Sequence, residues 1–83
     1  MNDNRKSVPV RIAAKIYKKD PYWVRAGLIV GWLPIGFATR KGERVTDISE
    51  MRGNKGRINY YISPKLLYEH TGFNWEAENG DNN

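Results

Sequence analysis

The sequence predicts a small α+β domain: two packed helices joined by a tight turn, a β-hairpin and a short C-terminal helix. Three observations carry this. Apolar residues recur at helical spacing between positions 10 and 31. They alternate at strand spacing at 35–38 and again at 58–62. Two pairs, Asp20-Pro21 and Ser63-Pro64, combine a capping side chain with a proline suited to a first helical position.

Residues 1–6 are polar and are expected to form a flexible arm, with the domain spanning residues 7–75. Ser7 is a candidate N-cap for a first helix over residues 9–18, where Val10, Ala13, Ala14 and Tyr17 fall on one face. Lys18 and Lys19 interrupt that pattern. Asp20-Pro21 opens a second helix in which Val24, Gly27, Leu28 and Gly31 repeat the spacing. Gly27 in a helix costs about 1 kcal/mol relative to alanine, so a close packing partner is expected, with helix 1 as the natural neighbour. Gly31 is the expected stop, and Leu33-Pro34 leads the chain away extended.

Ile35 and Phe37 alternate with Gly36 and Ala38, as Ile58, Tyr60 and Ile62 alternate with Asn59 and Tyr61, giving two strands. Between them residues 39–56 read as a long polar connection with one helical turn at 47–51. Ser63-Pro64 then starts a short helix over 65–70 that ends at Thr71-Gly72, with Phe73 and Trp75 folding back onto it. Glu76, Glu78 and Asp81 make residues 76–83 an acidic tail, expected to be disordered.

A chain of 83 residues with no cysteine and 40% hydrophobic content holds one small core without disulfides or thiolate metal sites. A domain of this size buries only about 60–65% of the surface its unfolded chain exposes, which leaves little room for a deep catalytic cleft. The formal charge is +5, and all the basic residues lie ahead of the acidic tail, a balance that suits a polyanion partner. The longest apolar stretch, residues 26–38, is too short and too broken by glycine and proline to span a bilayer. The first residues lack the apolar core of a secretory signal, so no export is expected.

Beyond this periodicity, the run Val10 to Arg25, followed by Gly31-Trp32-Leu33-Pro34, resembles the helix-turn-helix of MerR-like proteins and phage excisionases. The matching positions are Ala13 to Ile16, Asp20-Pro21, Val24-Arg25 and Gly31 to Pro34, and Arg57 to Ile62 resembles the returning wing strand. The Tyr60-Tyr61-Ile62-Ser63-Pro64 and Glu69-His70-Thr71-Gly72 patterns also resemble small proteins of Firmicutes phages and integrated elements. The resemblance implies a winged helix-turn-helix in which helix 2 enters the major groove. Two features depart from it. The outward set of helix 2, Tyr22, Arg25, Ala26 and Ile29, is mostly apolar, and the 39–56 connection is long for a wing tip.

Arg25 is the leading candidate for a base contact, since a guanidinium donates two parallel hydrogen bonds to guanine; the alternative is a solvated or ion-paired arginine. Tyr22 would support it through phosphate or a thymine methyl. Arg40, Lys41, Arg44, Lys55 and Arg57, in or beside the wing, and Lys18 and Lys19, in the turn, are candidate phosphate contacts. An ordinary wet loop is the competing reading, and Arg5 and Lys6 would serve as a minor-groove arm only if ordered. Trp23, Ile29, Val30 and Trp32 are expected to be core, with Trp32 and Ile29 packed on the hairpin; left exposed, they would mark a protein partner or self-association.

No nucleophile, paired carboxylate or phosphate loop stands out, and His70 is the only histidine. The expectation is a non-enzymatic protein without cofactor or metal. It would bind double-stranded DNA in the bacterial cytoplasm at the nucleoid, serving excisive recombination or transcription regulation in a phage or mobile element. A recombinase or further copies of the chain would be its partners, and no membrane is involved. The alternative is a protein-interaction module on the same fold that grips a host protein.

Overall fold

A computed structural model describes residues 7–53 and 56–75. The expected arm at 1–6, with Arg5 and Lys6, the acidic tail at 76–83, and Lys55 lie outside the described residues. Within them the order is α1 (Val10–Tyr17), α2 (Pro21–Val30), β1 (Gly36–Arg40), β2 (Glu43–Arg44), a 3-10 turn (Ile48–Arg52), β3 (Asn59–Ile62) and α3 (Pro64–Thr71). The three strands form an antiparallel sheet in the order β2-β1-β3. The described part of the chain is therefore α+β, with three helices beside a three-stranded sheet.

Local chemistry sets the helix ends. The Asp20 carboxylate accepts from the Trp23 amide at 2.9 Å, and Pro21 occupies the first turn, where its missing N–H costs nothing. Ser63 Oγ accepts from the Leu66 amide in the same way ahead of Pro64. Gly31 and Gly72 close α2 and α3 in the left-handed conformation, as their positions in the sequence imply. At α1 the C-terminal end falls where expected, at Lys18, but the cap at its start does not. Ser7 is not its cap: Pro9 holds that place without a side-chain bond, and Ser7 Oγ accepts from the Ile62 amide of β3 instead. The Val8 amide donates to the Ile62 carbonyl, so residues 7 and 8 run along β3 before α1 begins. Lys18 closes α1 at φ 60°, and the Lys19 amide reaches back to the Ala14 carbonyl.

The sheet corrects the expected two-stranded hairpin. β1 and β3 do pair, with Phe37 opposite Tyr61 and Ala38 opposite Tyr60. The polar connection, however, supplies a third strand, β2. Lys41 (φ 54°) and Gly42 (φ 82°) reverse the chain between β1 and β2, the pattern of a type I′ turn whose twist matches paired strands. The 3-10 turn follows, one residue later than expected, with Asp47 accepting from the Ser49 amide at 2.9 Å.

Two apolar clusters meet on α2. The larger joins Val24 and Leu28 to Val8, Ala13, Ala14, Leu33, Ile35, Ile62 and Leu67, with Phe73 and Trp75 packed against it. The smaller sets Ile29 against Ala38 of β1 and Val45 just beyond β2. Gly27 is indeed held by close packing, but not against helix 1. A Cβ there would lie 2.7 Å from Leu33 Cβ and 2.9 Å from the Trp32 ring, so the chain leaving α2 folds back over this position. Gly36 is tighter still, since a Cβ would run into the Tyr61 carbonyl of β3.

Candidate nucleic-acid interface

Helix α2 carries the question of function, because a recognition helix must leave side chains free to enter a groove. Its two ends differ. Ala26, expected to face outward, is buried, and Ile29 beside it packs into the core, because β1 and the segment around the 3-10 turn pack over that side. Fully burying an isoleucine is worth about 1.5–3 kcal/mol, so this half of the helix does not open for a ligand without unfolding part of the domain. At the N-terminal end Pro21 and Tyr22 are exposed, Tyr22 at 53%, and Lys18, Lys19 and Asp20 are exposed ahead of them.

Lys18 caps α1 with a left-handed backbone and leaves its side chain exposed. Lys19 Nζ lies 5.6 Å from the centre of the Trp23 ring. Arg25, half-buried, lays its guanidinium 5.8 Å from the centre of the Tyr60 ring. That ring joins both apolar clusters, so Arg25 is anchored to the helix-facing side of the sheet. Burial pushes the Tyr60 hydroxyl above the usual tyrosine range, while the Arg25 charge pulls it part of the way back.

The wing candidates do not act as one group. Arg40 is not available to a phosphate: its guanidinium pairs with Glu50 at 2.5 Å, and its side chain is only 15% exposed. This pair has no local signature, since it spans ten positions and forms because the 3-10 turn folds back beside β1. Lys41 is exposed at the β1–β2 turn, and Arg57 is exposed ahead of β3. Arg44 is exposed but lies on the sheet face opposite Arg25, its guanidinium 4.6 Å from the centre of the Phe37 ring. Phe37 in turn packs on Tyr61, ring centres 5.4 Å apart. Strand parity held the signal for this outer face, since positions 37 and 39 share a side with 59 and 61 once the register is known.

The apolar residues of α2 also divide. Ile29 is core, as expected. Val30 is exposed and Trp32 is 49% exposed, which corrects their assignment to the interior. Trp32 packs edge-on against Trp23 with ring centres 5.0 Å apart, and Trp23 packs on Tyr17 at 5.4 Å. The Tyr17 hydroxyl is hydrogen-bonded to His70 Nδ1 at 2.9 Å, tying α1 to α3 at the end of this aromatic row. Burial raises the Tyr17 hydroxyl above its ordinary range.

No family model matches the chain, and comparison with curated proteins and with solved structures finds no match. Among the described residues no helix is long and apolar enough to cross a membrane.

Proposed function

We propose that this chain is a winged helix-turn-helix protein that binds double-stranded DNA through the N-terminal end of α2 and acts as an architectural or regulatory factor rather than an enzyme. The observation that carries the reading is the exposed, cation-bearing end of that helix: Lys18, Lys19 and Tyr22 are open, and Arg25, one turn beyond Tyr22, is held on Tyr60. The order α1, tight turn, α2, antiparallel sheet, α3 supports the same reading. Recognition helices make their base contacts with N-terminal residues, so the buried C-terminal half is no obstacle.

In this mode Tyr22 and Arg25 meet base edges, with Arg25 suited to guanine, and Lys18 and Lys19 meet phosphates. With Arg44 on the opposite face of the sheet, Lys41 at the β1–β2 turn and Arg57 are left as exposed candidates for backbone contacts. Arg40 takes no part, and Asp20, already bonded to the helix N-terminus, keeps a phosphate from that spot. Such a protein works at the nucleoid, in excisive recombination or transcription control of a mobile element. A mobility-shift titration on duplexes tests this. Arg25→Ala should weaken binding by about 1–3 kcal/mol. Unchanged affinity in both Arg25→Ala and Lys19→Ala rejects the reading.

A second reading has one observation in its favour. Trp32, half exposed beside Trp23 and the exposed Val30, offers an aromatic surface of the kind found at protein contacts. A recombinase, another host or phage protein, or a further copy of the chain would bind there.

A further inference from the structure

The sheet has a second face that the duplex reading leaves unused. β1 and β3 alternate, so Ala38, Tyr60 and Ile62 turn towards the helices and the intervening residues turn away. On that outer side Phe37 and Tyr61 are register partners with ring centres 5.4 Å apart and planes inclined by 39°. Arg44 lies over Phe37 at 4.6 Å. Thr39 pairs with Arg44 on one side and Asn59 on the other, which completes a row across the three strands. The face thus combines two aromatic rings, one guanidinium, a hydroxyl and an amide, and its five strand residues include no carboxylate.

From this arrangement we infer that the outer face of the sheet is a stacking platform for unpaired bases of a nucleic-acid strand, separate from the α2 end and independent of whether that end meets duplex. Tyr61 accepts a base by stacking, with Phe37 supporting it from beneath Arg44, and every base presents a π-face. Arg44 supplies the positive charge for the strand's backbone and a planar group on which a base can also stack. Thr39 and Asn59 stand beside the rings, where they can hydrogen-bond to the edge of a stacked base. Paired DNA is the wrong occupant, because its base faces are already stacked on one another. A protein partner is disfavoured as well: stable interfaces cover about 800 Å² on each side, and the apolar part of this face amounts to two partly covered rings.

The test is fluorescence-anisotropy titration of the full chain with labelled oligothymidylate, oligouridylate and a duplex at low salt, comparing Tyr61→Leu, Phe37→Leu and Arg44→Lys. Each variant is first checked for the native circular dichroism spectrum. The expected result is a loss of about tenfold in single-strand affinity for Tyr61→Leu and a smaller loss for Arg44→Lys, with duplex affinity unchanged. If a variant fails to fold, amide chemical shifts of the unaltered chain decide the matter. Shifts at Phe37, Thr39, Asn59 and Tyr61 on adding oligothymidylate or oligouridylate support the platform. Shifts confined to Lys19, Tyr22 and Arg25, or no single-strand binding at all, overturn it.

Discussion

The guanidinium of Arg25 rests 5.8 Å from the centre of the Tyr60 ring, so a residue of α2 and one of β3 together fix the direction of the cation best suited to read a base. An arginine held on a ring loses less side-chain freedom on binding than one that waves in solvent. Tyr60→Phe keeps the ring and should leave duplex affinity within about twofold, whereas Tyr60→Leu should lower it even in protein that remains folded. Mobility-shift titrations of the two variants at equal salt check the difference.

Lys18 offers a way to separate folding from binding. It holds φ 60°, a conformation that costs a side-chain-bearing residue energy and costs glycine little. Lys18→Gly should therefore raise unfolding stability by about 0.5–1 kcal/mol. The same change removes a proposed phosphate contact and should weaken duplex binding several-fold. Urea denaturation and a mobility-shift titration on the same preparation would read both effects.

The Arg40–Glu50 pair makes the opposite split. Arg40 is held inside a part-buried ion pair, and its Nε is buried with no acceptor among the described residues. Glu50→Ala should destabilise the fold by about 1–3 kcal/mol, because it leaves a partly desolvated charge unpaired. Duplex affinity per folded molecule should stay the same. Replacing both partners together, as Arg40→Met with Glu50→Leu, should cost less than Glu50→Ala alone.

Alkaline pH should weaken the fold through Tyr17 and Tyr60. Burial raises both hydroxyls above their ordinary value of 10.0, so the folded chain favours the neutral form. Their contribution is complete below pH 10 and is lost as pH rises through the raised folded values. Thermal melts across that range should show a falling Tm, with a shallower fall in Tyr60→Phe.

The legible parts of this fold are those written in adjacent residues. Asp20-Pro21, Ser63-Pro64, Gly31 and Gly72 set helix ends within one turn, and each does so where the sequence indicates. The illegible parts depend on the rest of the chain. Lys18 closes α1 although lysine carries no preference for a left-handed cap, and Ser7 bonds to a strand lying 55 positions away. β2 has no clear signature because it is two residues long and its turn is Lys41-Gly42 rather than the Asn-Gly that advertises a type I′ hairpin. At the candidate site, exposure of Lys19 and Tyr22 was readable from position in the turn. The burial of Ala26 was not, because it requires knowing that β1 and the 3-10 turn return over that side of α2.

Binding of the intact chain to random and element-derived duplexes across a range of salt concentrations tests the central claim most directly. If Lys18, Lys19, Lys41 and Arg57 meet phosphates, log affinity should fall against log salt with a slope of about −3 to −4, and the slope should shrink by about one unit in Lys19→Ala. Absence of duplex binding at low salt, or binding that ignores salt, would contradict it.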